Sequence, residues 1–198
     1  MKNVVTNRKN QAMQNVPFVN TLFNHPLAGL LWLPVRVWLG YQWLTAGLHK
    51  LESAAWISNG SALQGYWTSA VSIPATGSAP IHYAWYRAIL EFLLNNGAYV
   101  WFAKLISIGE FAVGLALILG IFTGFAALFG GFMNWNYLMA GSLSVNPVFL
   151  VLAVLLVGAW KVAGYFGLDY FLIPWSGNLY HQKPVKLEKV PVESSSGD

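Results

Sequence analysis

Between Val35 and Glu52 the chain reads VRVWLGYQWLTAGLHKLE, an apolar run with an arginine near its start and His49 and Lys50 near its end. Written as a helix, Arg36, Gly40, Trp43, Gly47 and Lys50 fall at i, i+4, i+7, i+11 and i+14 and share one stripe. Arg36 and Lys50 then lie ~21 Å apart along the axis, at 1.5 Å per residue. Lipid penalises charge, so a face holding two cations and two glycines must turn toward protein or a polar cavity. The rest of the chain is expected to cover that face.

Only 9% of the 198 residues are charged and 56% are hydrophobic, against roughly 25% charged in soluble domains. With ten Trp, nine Tyr and twelve Phe, the aromatic load matches what collects where helices meet lipid headgroups. The expected fold class is all-α: an integral membrane four-helix bundle. Its helices fall at about 27–51, 99–119, 122–143 and 147–166, each near the ~20 residues that a bilayer core requires. The segment 52–97 is the least hydrophobic part of the interior and is too long for a structureless loop. Within it Tyr83–Leu94 has an amphipathic pattern, so short helices lying at the outer interface are expected there.

Residues 1–26, with Lys2, Arg8 and Lys9, read as a polar tail before a transmembrane domain at 27–174. Residues 175–198 carry Lys183, Lys186 and Lys189 and are expected to be disordered. Basic residues concentrate in these tails, which places both termini in the cytoplasm of a multi-pass cell-membrane protein.

The absence of cysteine removes disulfides, thiolate nucleophiles and Fe–S ligation. Redox chemistry is then left to a bound organic molecule or to the substrate. Of the four histidines only His49 lies in an expected span, so no haem ligand pair is available. No metal-ligand spacing or nucleotide fingerprint is present, and the scattered basic residues give no nucleic-acid footprint. Sorted by depth, His49, Lys50, Lys104 and Asn134 fall in the outer part. Arg36, Glu110 and Lys161 fall in the middle to inner part. Glu110 with Arg36 or Lys161 is either a structural ion pair or a catalytic, proton-carrying group. Lys104 either snorkels to headgroups or meets substrate. His49 and Lys50 either offset a helix dipole or bind substrate. Asn134 and Asn136 lie ~200° apart on an ideal helix, so they cannot both line one cavity unless the helix is distorted. A quinone acceptor would require an apolar slot, hydrogen-bond donors and a proton route, which Trp and Tyr faces and a Glu110–Lys161 relay could supply.

Four stretches carry a family resemblance: VRVWLGYQWLTAGLHKLE, ISIGEFAVGLALILGIFTGFAAL, MNWNYLMAGSLSVNPVF and AGYFGLDYFLIP. Over most of residues 30–177 the chain resembles the DoxX/DoxD superfamily of small four-helix membrane proteins. The run NWNYLMAG followed by NP is similar to the DoxD-type large subunit of thiosulfate:quinone oxidoreductase. The resemblance implies oxidation of thiosulfate to tetrathionate with electrons passed to quinone. It also implies a small second subunit or a soluble redox partner, beside lipid and homo-oligomeric contacts. On that reading His49, Lys50, Lys104 and Asn134 meet substrate, and Glu110 carries protons. A non-catalytic membrane scaffold in a redox-stress or respiratory complex is the alternative.

Overall fold

A computed structural model describes residues 17–175, and every element among them is helical. The helices are α1 (Pro17–Asn24), α2 (Ala28–Glu52), α3 (Ala54–Ile57), α4 (Ser61–Val71) and α5 (Ala84–Asn95). They continue as α6 (Tyr99–Leu119), α7 (Thr123–Met139), α8 (Asn146–Gly158), α9 (Trp160–Ala163) and α10 (Asp169–Trp175). Of the segment expected to be disordered, 175–198, Trp175 closes α10 and the rest lies outside the described residues.

The central pair is α2 against α6, antiparallel, and glycines set its register. A Cβ on Gly40 would meet the Leu117 Cβ at 2.9 Å, and one on Gly47 would meet the Phe111 Cα at 2.8 Å. From the other side, a Cβ on Gly114 would meet the Leu44 Cα at 2.6 Å. Only helices without side chains at these three points approach so closely. This register puts Lys50 level with Glu110 and Arg36 level with Gly120. A Gly114→Val substitution would drive a branched side chain into the α2 backbone. It is expected to cost about 3 kcal/mol or more, read as a fall in the thermal unfolding temperature in detergent, whereas Gly65→Val, where a Cβ meets nothing within 4 Å, serves as the mild control.

α7 and α8 form the second antiparallel pair, with Gly124 against Trp160 and Gly131 against Ala153. Trp32, Leu39, Trp43, Leu117, Ala127 and Leu156 make the main core between the two pairs. A second core, including Leu63, Trp67, Ile81, Tyr86 and Leu90, lies beneath α4 and α5, which cap one end of the bundle. α2 stops short of this capped end. The Gly60 turn, at φ +68°, packs on the backbone of Tyr99 and Val100 at the start of α6, ~16 Å of helix beyond Glu110.

At the opposite end, Asp169 accepts hydrogen bonds from the backbone N–H of Phe122 (2.6 Å) and Thr123 (2.9 Å). It thereby caps α7 with a full charge at the positive end of the helix dipole. Backbone bonds from Leu168 to Leu119 O and from Asp169 to Gly120 O tie the same segments together.

Several boundaries differ from the sequence reading. The expected N-terminal tail contains α1, which Trp32 holds by donating its indole N–H to Leu22 O at 2.9 Å. α7 ends at Met139 rather than near 143, because Gly141 takes φ +85° against Pro80. The expected fourth helix breaks at Ala159 into α8 and α9. α6, with 21 residues, is the one helix among the described residues long and apolar enough to cross a membrane by length and composition. α2 is longer, but Arg36, Gln42, His49 and Lys50 dilute its apolar character.

Candidate functional site

Register alone brings a lysine to a buried carboxylate. Lys50 Nζ lies 2.5 Å from Glu110 Oε2, with Lys50 partly exposed at 19% and Glu110 at 1%. The second carboxylate oxygen accepts a hydrogen bond from the Tyr137 hydroxyl at 2.5 Å. Both oxygens are therefore bonded, as a charge taken out of water requires. The Trp56 ring of α3 stands 5.1 Å from Lys50 Nζ and adds a cation–π contact. α2, α6 and α7 thus each contribute one polar group to a single cluster.

Two cavities meet at this cluster. The first, about 320 Å³ and termed the polar cavity for the charged pair on its otherwise largely apolar wall, is bounded by Lys50, Glu110, Asn134, Tyr137, Trp43 and Tyr66 among others. Asn134 is fully buried, and among the described residues neither its amide nitrogen nor its carbonyl oxygen has a partner; the Trp43 indole N–H likewise finds none there. The Tyr66 hydroxyl faces Ser142 without reaching hydrogen-bond geometry. Buried polar atoms without partners are uncommon in folded proteins and mark a place where water or a ligand completes the bonding. The second cavity, about 240 Å³, is an apolar slot under the cap, lined by Leu63, Trp67, Leu90, Phe102, Phe132 and others, with Tyr66, Tyr86, Asn136 and Tyr137 supplying its polar atoms. No charged side chain among the described residues lines it. Burial, with a smaller contribution from Tyr66, pushes the Tyr86 hydroxyl up to about 12, so it stays protonated at physiological pH. It donates to the carbonyl O of Asn136 at 3.0 Å, with the Asn136 side-chain oxygen at 3.2 Å.

Tyr137 and Tyr66 border both cavities. Tyr137 stands as a wall between them, its hydroxyl on Glu110.

The sequence-derived residues divide accordingly. Lys50, Glu110 and Asn134 come together. The expected association of Glu110 with Arg36 or Lys161 is corrected. Arg36 is buried ~15 Å of helix away from Glu110, donating to Phe166 O at 3.3 Å and facing Asp169, with Gly120 and Gly167 packed on its guanidinium. Lys161 sits on α9, 6.0 Å from the Trp160 ring centroid. The physical reason is the level at which α2 ends: it stops at Glu52, beside the middle of α6, so Lys50 takes the place next to Glu110 that depth alone gives to Arg36 or Lys161. Lys104 and His49 are exposed and border neither cavity. The ~200° between Asn134 and Asn136 has a direct outcome, since Asn134 faces the polar cavity and Asn136 the apolar slot. Tyr137 and Trp43 escaped the site assignment. Tyr137 follows Asn134 by three residues and so shares its helix face, which was the available signal.

No group of three or more His, Asp or Glu side chains suited to a metal ion occurs among the described residues. No protein-family model, curated protein or solved structure matches the chain.

Proposed function

We propose that the chain is the membrane subunit of a thiosulfate:quinone oxidoreductase. It spans the bilayer four times through α2, α6, α7 and α8–α9, with both termini cytoplasmic and the α3–α5 cap outside. Large apolar side chains exposed along α6, α7 and α8, among them Ile108, Phe125, Phe129, Val151 and Val154, support burial in lipid, because a water-facing surface rarely carries so contiguous an apolar patch. The resemblance to the DoxX/DoxD superfamily supplies the reaction. Two thiosulfate dianions form one S–S bond and release two electrons, and a quinone takes both electrons with two protons to become the quinol.

One observation carries the assignment: Tyr137 joins a cation-bearing polar cavity to an uncharged apolar slot and is hydrogen-bonded to a buried carboxylate between them. The polar cavity suits a small oxyanion. Lys50 gives it charge, and the Asn134 amide and Trp43 indole give it unpartnered N–H donors. The slot suits a flat, uncharged ring whose carbonyl oxygens accept from phenol hydroxyls. Glu110 and Tyr137 supply the proton route from one to the other. A small second subunit or soluble redox partner would dock at the capped end.

Purified protein is expected to reduce quinone in a thiosulfate-dependent reaction with tetrathionate as product. Folded, quinone-supplemented protein that forms no tetrathionate alone or with its partner would reject the enzyme and favour the scaffold.

A further inference from the structure

Gly109 has a different surrounding from the glycines that lock α2 to α6. A Cβ built on it would touch only the Met133 Sδ, at an ordinary 3.7 Å. Nothing among the described residues requires a glycine there for close approach, yet the missing side chain opens the seam between α6 and α7. A groove of about 540 Å³ runs along this seam past Gly109, Ala112 and Ala116 to Ile121 and Phe122. It is lined almost wholly by apolar atoms. From Phe102 to Ala116 it follows ~21 Å of helix. The groove and the slot share Phe102, Ile106, Phe132 and Met133 as walls, so the two spaces adjoin.

We infer that the α6–α7 seam is the access path and tail site for a long-chain prenyl quinone whose ring sits in the slot. This rests on the reading of the slot as a quinone site and adds to it the route and the direction of the chain. The polar atoms lie at one end, on Tyr86, Asn136 and Tyr137, and the other end is hydrocarbon. The matching ligand is an amphiphile with a polar head and one long chain. Its head is uncharged, because no ionic side chain among the described residues lines the slot, which disfavours a phospholipid headgroup. The opening toward lipid lets such a molecule enter sideways without crossing water.

Two photoreactive quinones in nanodiscs test the inference, one with the label on the ring and one with it at the chain end. Ring label is expected on slot residues such as Trp67 or Tyr86. Chain label is expected on α6 and α7 near Ala112 and Ala126, competed at least tenfold by unlabelled quinone. Gly109→Leu, which fills the groove while raising helix propensity, is expected to cut chain labelling about tenfold or more, and Ala112→Phe should do the same from an exposed position. Ring label in the slot with chain label elsewhere overturns the tail site alone. Chain label that unlabelled quinone fails to compete marks bulk lipid and also overturns it. Absence of any saturable ring label overturns the slot reading and the tail site with it.

Discussion

Lys50→Met is expected to destabilise the folded chain by about 3 kcal/mol, because it strips a buried carboxylate of its paired cation. Glu110 is almost fully enclosed, and Lys50 is its one ion-pair partner among the described residues. Tyr137 would remain, but one neutral donor compensates a buried charge poorly. The double variant Lys50→Met with Glu110→Gln removes both charges and is expected to recover most of the loss, giving a coupling of about 2 kcal/mol between the sites. The pair is measured by unfolding in detergent for the wild type, both single variants and the double variant. Losses that simply add would mean that the two side chains do not depend on each other, and the assignment of the cluster would fall. Glu110→Gln alone carries a second expectation: Lys50 is left with an uncompensated charge facing the cavity, so oxyanion affinity should rise even as turnover drops.

The main helices were legible because their determinants are local. Apolar length marks α6, and the Arg36–Lys50 stripe with Gly40 and Gly47 marks the face that α2 buries. The stripe also held the register, since the same glycines that permit contact with α6 fix which residues meet. What it lacked was the level at which α2 ends relative to α6. That level depends on the α3–α4 turn at Gly60 resting on Tyr99, a long-range contact without a periodic signature. Depth alone therefore sets Arg36 or Lys161 beside Glu110, whereas Lys50 meets it and Arg36 faces the Asp169 cap of α7.

For the site, charge was easier to read than shape. Lys50, Glu110 and Asn134 stand out as polar groups in apolar sequence, and the bundle gathers them. Tyr137 does not stand out in NWNYLM, where aromatic residues are common. Its importance comes from the hydroxyl's position between two cavities, which depends on α4 and α5 closing over the end of α7. Lys104 shows the converse. It lies six residues before Glu110, about 240° around the helix, so closeness in sequence puts it on another face, exposed.

Tyr137→Phe removes one oxygen and leaves the wall between the cavities standing. The fold should survive, since the lost bond to Glu110 costs about 1–2 kcal/mol and Lys50 still neutralises the carboxylate. If Tyr137 passes protons from Glu110 to the quinone, kcat for thiosulfate-driven quinone reduction is expected to fall about 100-fold, the lower range for loss of a positioned acid–base group. The KM for thiosulfate should change little, because Lys50, Asn134 and Trp43, the donors proposed for the oxyanion, are untouched. A wall with no chemical role would behave differently: phenylalanine fills the same volume, and kcat would stay within about threefold. The split between kcat and KM therefore separates a relay from a partition, and it does so on a side chain whose shape is preserved.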